Sequence, residues 1–76
     1  SKNFYDMAAE QFSKAKGEVP GVTELKKEIT YDLAECYEKM DEADKAIDQY
    51  KEIYSADIGF RDVSKKIDEF YASRNS

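Results

Sequence analysis

Four stretches of this chain carry apolar side chains at intervals of three and four residues, and the breaks between them are only a few residues long. That period matches the 3.6-residue turn of an α-helix, so each stretch has one greasy face that must be buried against a neighbour. In the first, residues 3–17, the face holds Phe4, Ala8, Phe12 and Ala15. The second and longest runs Val22, Leu25, Ile29, Leu33, Cys36, Tyr37 and Met40. The third, Glu42 to Ser55, holds Ala43, Ala46, Ile47, Tyr50, Ile53 and Tyr54, and the fourth, residues 60–73, holds Phe60, Val63, Ile67, Phe70 and Tyr71.

The breaks are of three kinds. Gly17-Glu18-Val19-Pro20-Gly21 is a strong stop, since glycine supplies a left-handed cap and proline cannot continue the hydrogen-bond ladder. Asp41-Glu42-Ala43-Asp44 has neither residue, and Asp41 reads there as the N-cap of the third helix, with Asp44 closing a box-like cap behind it. Asp57-Ile58-Gly59 separates the third helix from the fourth. Connections this short make sequence neighbours pack as antiparallel hairpins. With only three Gly and one Pro in 76 residues, the expected fold is all-α, one domain of four helices.

Charge and composition narrow the function. A net charge of −5 argues against nucleic acid, whose phosphates are held by Lys and Arg. No run approaches the roughly 18 apolar residues of a membrane span, so no membrane contact is expected of this segment, and no start reads as a signal peptide. The single Cys36 cannot close an internal disulfide, which fits a cytoplasmic location. A chain shorter than the usual domain of about 100 to 150 residues reads as a segment of a larger array. Ser1 and the tail Ser73-Arg74-Asn75-Ser76 are set aside as ends.

Chemistry finds little to work with. There is no His, no Gly-rich phosphate loop, and the one Cys lies within an apolar stripe, so neither a nucleophile–base pair nor a nucleotide site is expected. The paired carboxylates Glu35 and Glu38, and the cluster Asp41, Glu42 and Asp44, read as solvated helix charges and caps; no metal or cofactor is expected. The chain is not expected to be an enzyme.

An internal echo points elsewhere. Leu33 and Tyr37 recur as Ile67 and Tyr71, an offset of 34 residues; Ala8 and Phe12 recur as Ala46 and Tyr50, an offset of 38, one helical turn longer. Offsets of this size mark helix-turn-helix arrays. The segment Thr30-x2-Leu33-Ala34-x2-Tyr37, followed by Ala46-x3-Tyr50, resembles a tetratricopeptide repeat, whose two helices read W-x2-L-G-x2-Y and A-x3-F before a Pro. Ala8-x3-Phe12 with Pro20 resembles the second helix of a preceding repeat, and Ser64-x2-Ile67-Asp68-x2-Tyr71 the first helix of a following one. The tract Tyr54 to Ile67 is similar to the C-terminal ends of bacterial repeat proteins. Thr30 for Trp, Ala34 for Gly, Ile53 for a small residue and Ile58 for Pro depart from the pattern.

The resemblance implies a fragment of a right-handed solenoid: a lone helix at 3–17, one full repeat at 22–58 and a capping helix at 60–73. It implies tight helix approach at Ala8, Ala34 and Ala46, and Phe12, Tyr37, Tyr50 and Tyr71 filling the space between hairpins. It further implies a concave groove lined by Glu28, Tyr31, Glu35, Glu38, Lys65 and Glu69, with Tyr31 facing outward off the Ile29-Leu33-Tyr37 stripe. Relatives that clamp acidic chaperone tails present Lys and Asn where this chain has Glu28, Tyr31, Asp32 and Glu35. The expected partner is therefore a protein or peptide segment bearing Lys or Arg, with Tyr31 open to stack on a guanidinium. The alternative is self-assembly, the Phe4, Ala8 and Phe12 face of the first helix pairing with another copy.

Overall fold

A computed structural model describes residues 2–75, with side chains described for 4–74; Ser1 and Ser76 lie outside the described residues. These residues form four helices and no strand: α1 Lys2–Glu18, α2 Glu24–Lys39, α3 Ala43–Ala56 and α4 Val63–Asn75. Each helix packs on its neighbours in the chain, α1 on α2, α2 on α3 and α3 on α4. The hairpins are antiparallel. Lys27 near the start of α2 meets Asp57 just past the end of α3, and Asp44 near the start of α3 meets Arg74 near the end of α4.

The helix ends have local causes. Thr23 caps α2, its hydroxyl accepting from the Lys26 N–H at 3.1 Å. At the other end Asp41 is not the N-cap expected of it. Its φ is 63°, and the Asp41 N–H bonds to the Glu38 carbonyl while the Glu42 N–H reaches back to Tyr37, at 3.1 and 2.9 Å. That is a Schellman closure of α2, with Asp41 in the left-handed position glycine usually takes; Asp tolerates it through its short polar side chain. The N-cap of α3 is Glu42, which makes no side-chain capping bond, so Asp44 closes no box with Asp41.

Gly17 is likewise not a cap, since α1 runs through it to Glu18 and the left-handed glycine is Gly21, at φ 72°. The fourth helix starts three residues later than expected. Asp57 accepts the Gly59 N–H on its side chain and the Phe60 N–H on its carbonyl, and Arg61 takes a φ of 44°, so Phe60 is buried in a tight turn ahead of the helix. The tail is helical to Asn75, and its Arg74 is engaged.

Two apolar clusters meet at α2. One gathers Ala9, Leu33, Cys36 and Met40 with Tyr5, Ala8 and Phe12 packed against them; the other gathers Tyr31, Ala34, Ala46, Tyr50, Ile53, Phe60 and Val63, with Ile67 packed against it. Tyr37 touches both. Burying α2 between α1 on one side and α3 and α4 on the other requires apolar residues over well more than one stripe. Thr30, the one buried polar residue among those described, gives its hydroxyl to the Lys26 carbonyl at 2.7 Å. No buried side-chain nitrogen or oxygen among the described residues lacks a partner.

Two expectations about aromatic side chains are corrected here. Tyr31 is 5% exposed rather than outward-facing. At 3.6 residues per turn it lies about 60° from Ala34, on the second apolar arc of α2, and not on the Leu33 stripe. Tyr71, expected in the core, is 42% exposed, because α4 buries only one narrow face, Val63, Ile67 and Phe70. At the entry to α2, Val22 and Leu25 are exposed, and Pro20 stands exposed in the loop before it.

Candidate functional site

Helices that are not chain neighbours are joined by polar side chains. Between α2 and the α4 region, Arg61 donates to Glu28 at 3.1 Å, the Tyr31 hydroxyl donates to Asp62, and Lys66 donates to Glu38 at 3.3 Å. Between α1 and α3, Lys16 donates to Gln49 at 2.6 Å and pairs with Glu52 at 2.8 Å. The acidic row read along α2 is therefore partly answered from within the chain.

At the lower end of that row Tyr31 packs edge-on against Tyr50, with ring centroids 5.5 Å apart, and tilts against Phe60 at 6.2 Å. The Arg61 guanidinium lies 4.4 Å from its ring centre. The stacking position expected to receive a partner's guanidinium is filled by the chain's own. Burial, and then the hydrogen bond to Asp62, push the Tyr31 phenol well above its ordinary range; the same bond holds the Asp62 carboxyl below its own.

The upper end is built differently. The Tyr50 hydroxyl donates to Glu38 Oε1 at 2.8 Å, and Lys66 reaches the same oxygen, tying α3, α2 and α4 together at one carboxylate. Tyr50 is 2% exposed, and burial followed by this bond raises its phenol far above the usual value. Burial works against the charge on Lys66, but its hydrogen bond and attraction to Glu38, with Asp62 and Glu69 nearby, leave its ammonium net raised.

Beside this junction a groove of about 370 Å³ opens between α3 and α4. Ala46, Ile47, Tyr50 and Phe70 form apolar walls, and Glu38, Asp41 and Glu69 bring carboxylates to it. Arg74 lines it too, its guanidinium 4.8 Å from the Phe70 ring centre and paired with Asp44.

Of the six residues expected to line one concave groove, Glu38 and Glu69 border this α3–α4 groove. Glu28 and Tyr31 belong to the Arg61–Asp62 contact, while Glu35 and Lys65 are exposed outside the groove lining. The residues the stripe reading missed are Asp41, Lys66 and Arg74. Lys66 was legible as a cation 28 positions after Glu38, near the repeat offset; Arg74 was lost by setting the tail aside. Cys36 is buried, and burial ahead of nearby Asp32 and Glu35 pushes its thiol up, away from the reactive thiolate. Among the described residues no group of His, Cys, Asp or Glu has the arrangement to hold a metal ion, and no helix is long and apolar enough to cross a membrane.

Compared with family models, with curated proteins and with solved structures, the chain matches none of them.

Proposed function

We propose that this chain is a protein- or peptide-binding scaffold with no chemistry of its own, a tetratricopeptide-like stack of helical hairpins whose α3–α4 groove takes a segment carrying a basic side chain. The observation that carries the reading is the groove itself: a partly apolar trough of peptide-side-chain size with carboxylates around it. Support for the repeat comes from the polar links. Glu28–Arg61, Tyr31–Asp62, Glu38–Lys66 and Lys16–Gln49 join residues 28 to 33 positions apart, close to the 34-residue echo in the sequence, as contacts between equivalent helices of successive repeats do. The 15 Å thickness of the molecule equals about two helix layers, taking an interaxial distance of about 8–10 Å and a Cα radius of about 2.3 Å. A scaffold role also fits the chemistry on hand: no His, a buried thiol, and two buried phenols held protonated.

The test is a titration of the chain into labelled basic, neutral and acidic peptides of one length, read by fluorescence anisotropy. Basic peptides bind best and lose affinity with added salt; stronger binding of the acidic set would refute the reading. A second reading, self-assembly through α1, is favoured by Phe4 and Met7, which are 65% and 70% exposed three residues apart on that helix. Sedimentation across a concentration series separates the two, because only self-assembly makes the mass rise with concentration.

A further inference from the structure

The chain contains two arginines, and both sit in the same way, with the guanidinium over an aromatic ring and an acid at its edge: Arg61 on Tyr31 with Glu28, and Arg74 on Phe70 with Asp44. The two differ in what surrounds them. Arg61 is half-exposed, its side chain at 50%, but it lies over a tyrosine buried in the core, directly follows Phe60 in a tight turn and lines neither hollow. Arg74 hangs near the end of the last helix, its side chain 54% exposed and its Asp44 partner 78% exposed, at the edge of a groove it does not fill. On the far side of Phe70 a second, shallower hollow of about 450 Å³ is lined by Asp44, Asp48, Lys51 and Tyr71, and Phe70 and Arg74 border both hollows. Phe70 is thus half-buried between two hollows, with Arg74 as the cation on its face.

From this arrangement we infer that the seat formed by Phe70 and Asp44, at the ridge between the α3–α4 groove and the shallower hollow, is a receptor for an arginine side chain of a partner segment, and that Arg74 occupies that seat in the unbound chain as an intramolecular stand-in. The inference rests on the scaffold reading and names the chemistry it recognises. A planar guanidinium can lie on Phe70 and turn its N–H edge to Asp44, while Asp41 and Glu69 supply further negative charge along the lining. Lysine, a compact ammonium without a flat face, fits such a seat less well. Because Arg74 and an incoming arginine need the same ring and the same carboxylate, they compete, and the chain's affinity for its partner is set partly by how firmly its own tail holds on.

The experiment uses the full chain, the variants Arg74→Gln and Asp44→Asn, and three small probes: N-acetyl-arginine methylamide, its lysine counterpart and its citrulline counterpart. Backbone amide shifts of Asp44, Ile47 and Phe70 report binding, and far-UV circular dichroism verifies that each variant is folded; both altered side chains are more than half exposed. The arginine probe shifts these amides and the citrulline probe does not. Arg74→Gln tightens arginine binding about three- to tenfold, the value of one exposed ion pair plus one exposed cation–π contact. Asp44→Asn weakens it.

Equal response to arginine and citrulline, unchanged affinity in Arg74→Gln, or no shift of these amides up to the solubility limit of the probe would each overturn the seat. Basic peptides that bind while these amides stay still would leave the scaffold reading standing and remove the seat. The arginine probe binding at the seat while no peptide binds anywhere would do the reverse.

Discussion

Replacing Tyr31 tests whether α2 is enclosed on both sides. Its ring is 5% exposed, wedged between Tyr50 and Phe60, and its hydroxyl is bonded to Asp62. Tyr31→Ala removes a whole buried aromatic, a loss of about 3–5 kcal/mol by analogy with other large-to-alanine changes. At about 0.05–0.15 kcal/mol per residue, a chain of 76 residues has roughly 4–11 kcal/mol of stability in all, so this variant stands near the edge of folding. Tyr31→Phe keeps the ring and removes only the hydroxyl. A hydrogen bond to a charged group is worth about 1.5–3 kcal/mol, but Asp62 is exposed and water replaces the lost donor, which brings the cost to about 1 kcal/mol and the fall in Tm to about 4–8 °C. Urea unfolding followed at 222 nm gives both values, with Tyr54→Ala, at a residue 40% exposed and outside the core clusters, as the control.

Asp62 adds a signed pH dependence. Its carboxyl is held below its ordinary value of 3.8 by the Tyr31 hydroxyl, so the stability it contributes is present above that value and is lost as pH falls through the lower, folded-state value. The gap between wild type and Tyr31→Phe therefore narrows on acidification. Tyr31→Ala unfolding within about 0.5 kcal/mol of wild type, or costing less than Tyr54→Ala, would put Tyr31 back on the solvent face and refute the enclosure of α2.

Glycine substitutions at two sites have opposite signs: Gly17→Ala, within α1 and with open space around the added methyl, gains about 0.5–1 kcal/mol, whereas Gly21→Ala, at φ 72°, costs about 1 kcal/mol, both read from thermal melts. Ala34, 0% exposed where α2 meets the second cluster, leaves no room for growth, so Ala34→Leu costs about 1–3 kcal/mol in urea titrations. Tyr31 and Tyr50 both have raised phenol values, so the stability they contribute is complete below the ordinary value of 10.0 and drains away as pH rises above it. Absorbance at 295 nm below about pH 11 is accordingly unchanged in amplitude by Tyr50→Phe while the chain stays folded.

Helix number, helix order and most of the core were legible because apolar period is a direct image of burial: Leu33, Ala34, Ala46, Tyr50, Ile53 and Val63 all lie inside. What failed was the assumption of one stripe per helix. α2 has neighbours on two sides, so Tyr31 is covered from the second side, while α4 is packed from one side and leaves Tyr71 at its margin. Asp41 was misplaced because the same residue type serves as an N-cap and as a left-handed C-terminal residue, and only backbone direction separates the two. The groove was half legible. Glu38 and Glu69 were readable as acids on the exposed faces of α2 and α4, but the apolar trough beside them depends on how far α4 leans from α3, which no local pattern encodes.

The division of labour among contacts has a consequence for binding. Apolar burial joins helices that follow one another in the chain, and also Tyr31 of α2 to Phe60 ahead of α4, and it supplies most of the stability; exposed or half-exposed polar pairs add links between α1 and α3 and between α2 and the α4 region, each worth only about 0–1 kcal/mol. The fold therefore survives the loss of any one link, while the relative setting of α2 and α4 does not have to. Lys66 stands at the junction of the two roles, bonded to Glu38 and lining the groove. Changing it to methionine keeps most of the stem length but removes the tie, so its effect belongs in the shape of the groove, and on the proposed function in peptide affinity, more than in the unfolding midpoint. On the scaffold reading proposed above, single surface charges can retune the groove at little risk to the core.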